Sequence, residues 1–293
     1  MIDEISETAS MNNQQQKTME QYWSTEGGDT WLQYLDYFEP MIAPIGRSLV
    51  SDTLTDEHKH IIDIGCGGGA TTFRLASIVG DKGSIIGVDI SEALIANCRQ
   101  RARTAGVKNV EFKCGDAATI ELPKHWAQLV ISRFGVMFFK EPVVAFKHIG
   151  QSLSDGGTLA FSCWASLPEN PWMNELVTTL GLHIDLPKPL PGAPGPFAFA
   201  NTEYLTSILT DAGYKNIQVT QWTGELMIGS RGMSANAVSK FLFSTSMVVK
   251  SVQDRITGNE DEIFRQFASR IKQYCKDDGV YMPAKAWIVK ANN

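Results

Sequence analysis

Ile61-Ile62-Asp63-Ile64-Gly65-Cys66-Gly67-Gly68-Gly69-Ala70 is the stretch that decides the fold. An apolar strand ends in an acid and runs into a loop rich in glycine. Without Cβ atoms, such a loop turns sharply and lets a ligand lie against bare backbone. Thr72, Phe73, Leu75, Ala76 and Val79 then continue with helical spacing. Strand, glycine turn and helix open a nucleotide-binding α/β domain.

Downstream, strands and helices alternate, which predicts a mainly parallel sheet. Strand segments are expected at Ile61–Ile64, Ser84–Ile90, Val110–Cys114, Gln128–Ser132, Thr158–Cys163, Ile217–Ile228 and Ala286–Val289, seven in all, with the last two as a closing antiparallel pair. Ser91 caps the helix that carries Leu94, Ile95 and Cys98. Upstream, residues 19–58 read as an N-terminal helical cap. Pro40 is expected to break it and open a helix with Met41, Ile42, Ile45 and Leu49. Residues 1–18, polar and with Gln14-Gln15-Gln16, read as a disordered tail. The core is expected over 59–165. A proline- and glycine-rich lid or substrate loop follows over 166–200. Residues 201–293 complete the core around a helical insertion at about 232–280.

The chain has 293 residues, 43% of them hydrophobic and 20% charged, enough for a large core. Its net charge of −6 argues against a nucleic-acid partner. No apolar run reaches membrane-spanning length. Five scattered cysteines lack metal-ligand spacing and read as buried free thiols in a reducing cytoplasm. No metal site is expected.

Two readings compete for the glycine loop. Gly65, Gly67 and Ala70 satisfy a dinucleotide pattern, and Asp89 ends the second strand where an acid binds ribose. An NAD(P)-dependent oxidoreductase is therefore viable. Against it, Asp63 lies in front of the loop, where it would repel a pyrophosphate but suit an ammonium. Gly115-Asp116-Ala117 puts another acid on the same rim, placed to read an adenine amino group. A crevice with three acids suits a cationic nucleoside.

With these residues the chain resembles the class I S-adenosylmethionine-dependent methyltransferases. Asp63–Gly69, Gly87-Val88-Asp89-Ile90-Ser91, Gly115-Asp116-Ala117 and Asp155-Gly156-Gly157 occur in the family's order and spacing. The span from Ser132 to Phe139 and Asn170-Pro171-Trp172 are similar to the ubiquinone/menaquinone-biosynthesis-like group. Ser154-Asp155 departs from the family, which usually has a proline before the glycine pair.

The resemblance implies a seven-stranded Rossmann-like sheet and S-adenosyl-L-methionine as cofactor. Gly65, Cys66, Gly67 and Gly69 would cradle its methionine part, and Asp63 would orient the ammonium. Asp89 with Ile90 would take the ribose, and Asp116 and Ala117 the adenine. Ser132 and Arg133 would face the sulfonium. Trp23 and Trp31 read either as core residues of the N-terminal helices or as an aromatic flap suited to a sulfonium. Phe134, Trp172, Phe197 and Phe199 are candidates for the acceptor pocket. His183, the one histidine in the lid, is the candidate base. The expected partner is a small, partly apolar methyl acceptor. A protein or RNA acceptor is the alternative within the same chemistry.

Overall fold

A computed structural model describes residues 19–293; the tail expected over 1–18 lies outside the described residues. Residues 19–24 are helical. Helices α1 (Glu26–Gln33) and α2 (Leu35–Thr53) then lead into the sheet. The N-terminal half of the sheet alternates β1 (His60–Ile64), α3 (Ala70–Val79), β2 (Ser84–Asp89), α4 (Glu92–Ala105), β3 (Val110–Cys114) and β4 (Ala127–Arg133). Helix α5 (Pro142–Gly150) precedes β5 (Leu153–Trp164), and α6 (Pro171–Gly181) and α7 (Thr202–Asp211) precede β6 (Lys215–Ile228). An excursion of helices α8 (Ala235–Thr245), α9 (Met247–Ser251), α10 (Gln253–Ile256) and α11 (Glu260–Ile271) leads to β7 (Cys275–Lys276) and β8 (Gly279–Asn292).

The sheet runs β3-β2-β1-β4-β5-β8-β6, with β7 paired to β8 off that path. Strands β1 to β5 pair in parallel, and β8 is antiparallel to both β5 and β6. The sheet has eight strands rather than seven, because residues 275–276 add a short ribbon against the start of β8. The period-2 pleat splits each strand between two cores. Ile61, Ile85, Leu129 and Ile131 pack on one face with Leu49 and Leu75. Ile62, Ile86 and Val130 pack on the other with Phe146 and Phe161.

The expected break at Pro40 does not occur. Helix α2 runs through Pro40 and Pro44, and the break falls at Tyr34. Each proline removes one backbone hydrogen bond. Burial of Met41, Ile42, Ile45, Leu49 and Val50 along one side offsets that loss.

The chain winds outward from β1 through β2 to β3, then returns to place β4 on the other side of β1. A crevice therefore opens between the C-terminal ends of β1 and β4, where open α/β sheets bind their ligands.

Candidate active site

The loops after β1 and β4 touch at the floor of this crevice. Gly65 has φ +65°, and a Cβ there would come within 2.7 Å of the Gly135 Cα. Glycine is required for both the conformation and the approach. Ser132 fastens the same floor. Its hydroxyl donates to the Ile64 carbonyl at 2.7 Å and accepts from the Gly135 N–H at 3.2 Å. Ser132 is fully buried and does not line the cavity above.

Asp89 organises the glycine loop from β2. The Gly67 N–H donates to one of its carboxylate oxygens at 2.8 Å, and the Ser91 N–H to the other at 3.0 Å. Burial pushes its carboxyl above the usual value, and these backbone bonds oppose the rise. Asp63 sits behind the loop, 1% exposed. The Thr72 hydroxyl donates to its Oδ2 at 2.6 Å, while Oδ1 has no partner. Desolvation raises its pKa to about 7, against the lowering effects of the Thr72 bond and the Arg133 charge. Gly69 also lies behind the loop, where its left-handed conformation (φ +86°) starts α3.

A cavity of about 450 Å³ extends from the glycine loop across the crevice. Gly65, Cys66, Gly67, Asp89 and Ile90 line one end, with Asp116 and Ala117 beside them. The Asp116 carboxylate accepts from the Ala118 N–H at 2.9 Å, which fixes the turn after β3. Arg133, Phe134 and Trp172 also line the cavity, with the Arg133 charge felt at Asp63.

Aromatic rings close the cavity. Trp31 stacks on Phe38 with centroids 4.3 Å apart, and Trp23 meets Phe138 edge-on at 4.9 Å. The Trp31 indole lies over Gly67, its Nε1 3.4 Å from where a Cβ would stand. The indole N–H groups of Trp23, Trp31 and Trp172 are buried without a hydrogen-bond partner. Lys250 of α9 holds the cap in place, pairing with Glu26 at 2.7 Å and donating to the Thr30 hydroxyl at 3.2 Å.

Other candidates lie elsewhere. Phe199 is in the core beside Phe146 and Phe161, and Phe197 supports Trp172 from behind at 6.4 Å. Neither lines the cavity. His183 shares a hydrogen bond with Gln266 of α11 at 3.0 Å and is also outside it. Sequence reasoning left out Phe38 and Phe138 as site residues. Phe38 was signalled by its helical register with Trp31, and Phe138 by its place in the span after β4. No group of three or more metal-ligating side chains occurs among the described residues.

Residues 55–213, more than half of the chain, match a family described as a methyltransferase domain. The chain belongs to the class I S-adenosylmethionine-dependent methyltransferases. Aklanonic acid methyltransferase DauC of Streptomyces sp. (strain C5) is 35% identical over 128 residues, 44% of this chain and 56% of that relative's length. A demethylmenaquinone methyltransferase of Staphylococcus epidermidis is 24% identical over 207 residues, 66% of this chain and 83% of its own. Among solved structures, the (4+2)-cyclase SpnF superposes with a TM-score of 0.52 at 18% identity, over 85% of this chain and 80% of that one. That likeness is one of fold.

The methyltransferase uses S-adenosylmethionine, and the crevice fits it. Asp63 Oδ1, behind the loop and outside the cavity lining, is a buried carboxylate oxygen without a hydrogen-bond partner. Gly67 presents bare backbone below Trp31. Asp89 retains lone pairs beyond its two backbone bonds. The oxidoreductase reading falls away with the family.

Proposed function

We propose that this methyltransferase moves a methyl group from S-adenosylmethionine to an O, N or C atom of a small, partly apolar molecule. When bound, the cofactor supplies a methyl group on a sulfonium, with a neutral thioether as leaving group. Gly65 and Gly67 support its methionine part, with Asp63 acting through its free oxygen. Asp89 takes the ribose hydroxyls, and Asp116 with the Ala117 N–H reads the adenine. Trp23 and Trp31 cover the charge with aromatic faces.

The observation that carries the acceptor class is the aromatic wall that Phe134, Trp164 and Trp172 give the cavity. Phe134 stacks on Trp164 with centroids 4.2 Å apart and planes 16° apart, and Trp164 packs on Trp172 at 5.0 Å. Phe134 holds φ +64°, a costly conformation for a bulky residue and one that clusters at functional sites. Relatives named for aklanonic acid and demethylmenaquinone support a small-molecule acceptor. The segment 166–200 contributes Trp172, Met173, Leu176 and Pro196 to the cavity wall, and the helical excursion contributes Leu242 and Met247. These parts act as a lid that excludes water.

With donor and acceptor so enclosed, alignment supplies much of the rate. A base is needed only for an acceptor that must lose a proton. The cysteines are free, though Cys114 and Cys275 are exposed rather than buried as expected, and free thiols suit a cytoplasmic setting. No described helix is long and apolar enough to cross a membrane.

The test is incubation of the protein and methyl-tritiated S-adenosylmethionine with separate small-molecule, protein and RNA fractions of a bacterial lysate. Label is expected in the small-molecule fraction. Label confined to protein or RNA contradicts the reading.

A further inference from the structure

Charged side chains of both signs line the cavity: Glu20, Asp89, Asp116 and Glu141, with Arg133 and Lys140. Asp89 and Asp116 belong to β2 and the turn after β3, on one side of β1, while Asp63 belongs to β1 itself and lies behind the loop. Arg133 ends β4 on the other side and lines the same cavity. Among the described residues its guanidinium makes no hydrogen bond or ion pair. Asp63 and Glu39 act on it only through space. Glu39 is engaged instead with Arg101, at 3.6 Å.

The fold makes room for this side chain. A Cβ on Gly46 would stand 2.8 Å from the Arg133 Cδ. Gly46 lies inside α2, where glycine weakens a helix. Phe134, next in the chain, carries the left-handed conformation that turns the backbone immediately after the arginine. Flat rings lie close in the fold, Phe134 against Trp164 and Trp164 against Trp172. The Trp172 indole N–H adds another donor without a partner.

A desolvated guanidinium cannot shed its proton at working pH, so it calls for an anion. Carboxylates suit it best, because two parallel N–H···O bonds match its fork. A second cation on the acidic side of the crevice strengthens that demand, since like charges repel across a low-dielectric cavity.

We propose that Arg133 is the anion anchor of the acceptor site and selects flat acceptors that carry a negative oxygen. This rests on the methyltransferase reading and names the acceptor class within it. Carboxylates, phenolates and enolates share the required oxygen. Such an acceptor arrives already deprotonated, in keeping with a site in which His183 lies outside the cavity.

The test is ligand binding, read by quenching of tryptophan fluorescence. Wild-type protein is saturated with S-adenosylhomocysteine above about pH 8, where Asp63 is ionised. The probes are naphthoate and its uncharged analogue naphthamide. Naphthoate is expected to bind at least about tenfold more tightly. Arg133→Met removes this preference and Arg133→Lys keeps part of it. S-adenosylhomocysteine is kept saturating for both variants, because loss of the Arg133 charge raises the Asp63 pKa further and weakens that ligand.

Equal affinity for the two probes, absence of naphthoate binding, or a preference that survives Arg133→Met overturns the proposal. A tenfold loss of S-adenosylhomocysteine affinity on Arg133→Met that persists in an Asp63→Asn background, measured separately, also overturns it, because the arginine then holds the cofactor's own carboxylate. Failure of wild-type protein to bind S-adenosylhomocysteine removes the methyltransferase reading itself.

Discussion

Asp63 carries the sharpest consequence for pH. Its folded pKa of about 7 lies above the ordinary value of 3.8, because burial penalises the charged form. Between those values the folded protein holds a proton that the unfolded chain has lost. This contribution to stability is full below about pH 4 and is lost as pH rises through about 7. A bound ammonium has the opposite preference and favours the carboxylate. S-adenosylhomocysteine affinity should therefore rise as pH increases through about 7, with proton release on binding. In Asp63→Asn both effects should vanish. Calorimetric titration in buffers of different ionisation enthalpy reads the protons directly, and unchanged release in the variant would show that Asp63 is not the group. The sequence revealed that an acid ends β1 but not where its oxygens go. The free oxygen depends on Thr72, nine residues later on another element.

Helix α6 owes its position to a buried acid. Glu175 is 7% exposed and accepts from the Arg270 Nε at 2.5 Å and the Tyr274 hydroxyl at 2.7 Å. These bonds tie α6, which brings Trp172, Met173 and Leu176 to the cavity, to the end of α11. Burial first, and then Glu175, push the Tyr274 hydroxyl up to about 12. Glu175→Ala should destabilise the protein by about 1–3 kcal/mol in urea unfolding, at the low end because Arg270 remains partly solvated. A smaller loss in Glu175→Gln would show that hydrogen bonding carries part of the effect. No stability loss in either variant would contradict this account. Nothing near Glu175 in the sequence announces its partners, which lie 95 and 99 residues away. Local periodicity was a better guide within α2, where Met41, Ile42, Ile45 and Leu49 did form the buried side. Pro40 misled because tertiary packing outweighs its lost backbone bond. Strand β8 begins seven residues before the expected Ala286, since Val280, Met282 and Ala284 bury on one side despite Pro283.

The molecule as a whole joins the glycine loop, with Asp89 and Asp116, to an aromatic wall in one cavity that Arg133 also lines. That Gly65, Gly67, Asp89 and Asp116 come together at one cavity was legible, because they stand in short-range motifs at the ends of β1, β2 and β3. The wall was legible only in part, since it is assembled from α1, the turn after β4, α6 and α9. Trp172 and Phe134 reach it; Phe197, Phe199 and His183, equally plausible by composition, pack elsewhere. Their fate was decided by long-range packing, to which spacing is blind. The central claim is that the glycine loop and its acids hold an adenosyl amino acid. Isothermal titration with S-adenosylhomocysteine and NADH, on wild type and Asp89→Ala, tests it most directly. S-adenosylhomocysteine should bind wild-type protein at one site, NADH should give no heat, and Asp89→Ala should weaken binding by about ten- to a hundredfold. Binding of NADH in place of S-adenosylhomocysteine, or an Asp89→Ala affinity equal to wild type, would contradict it.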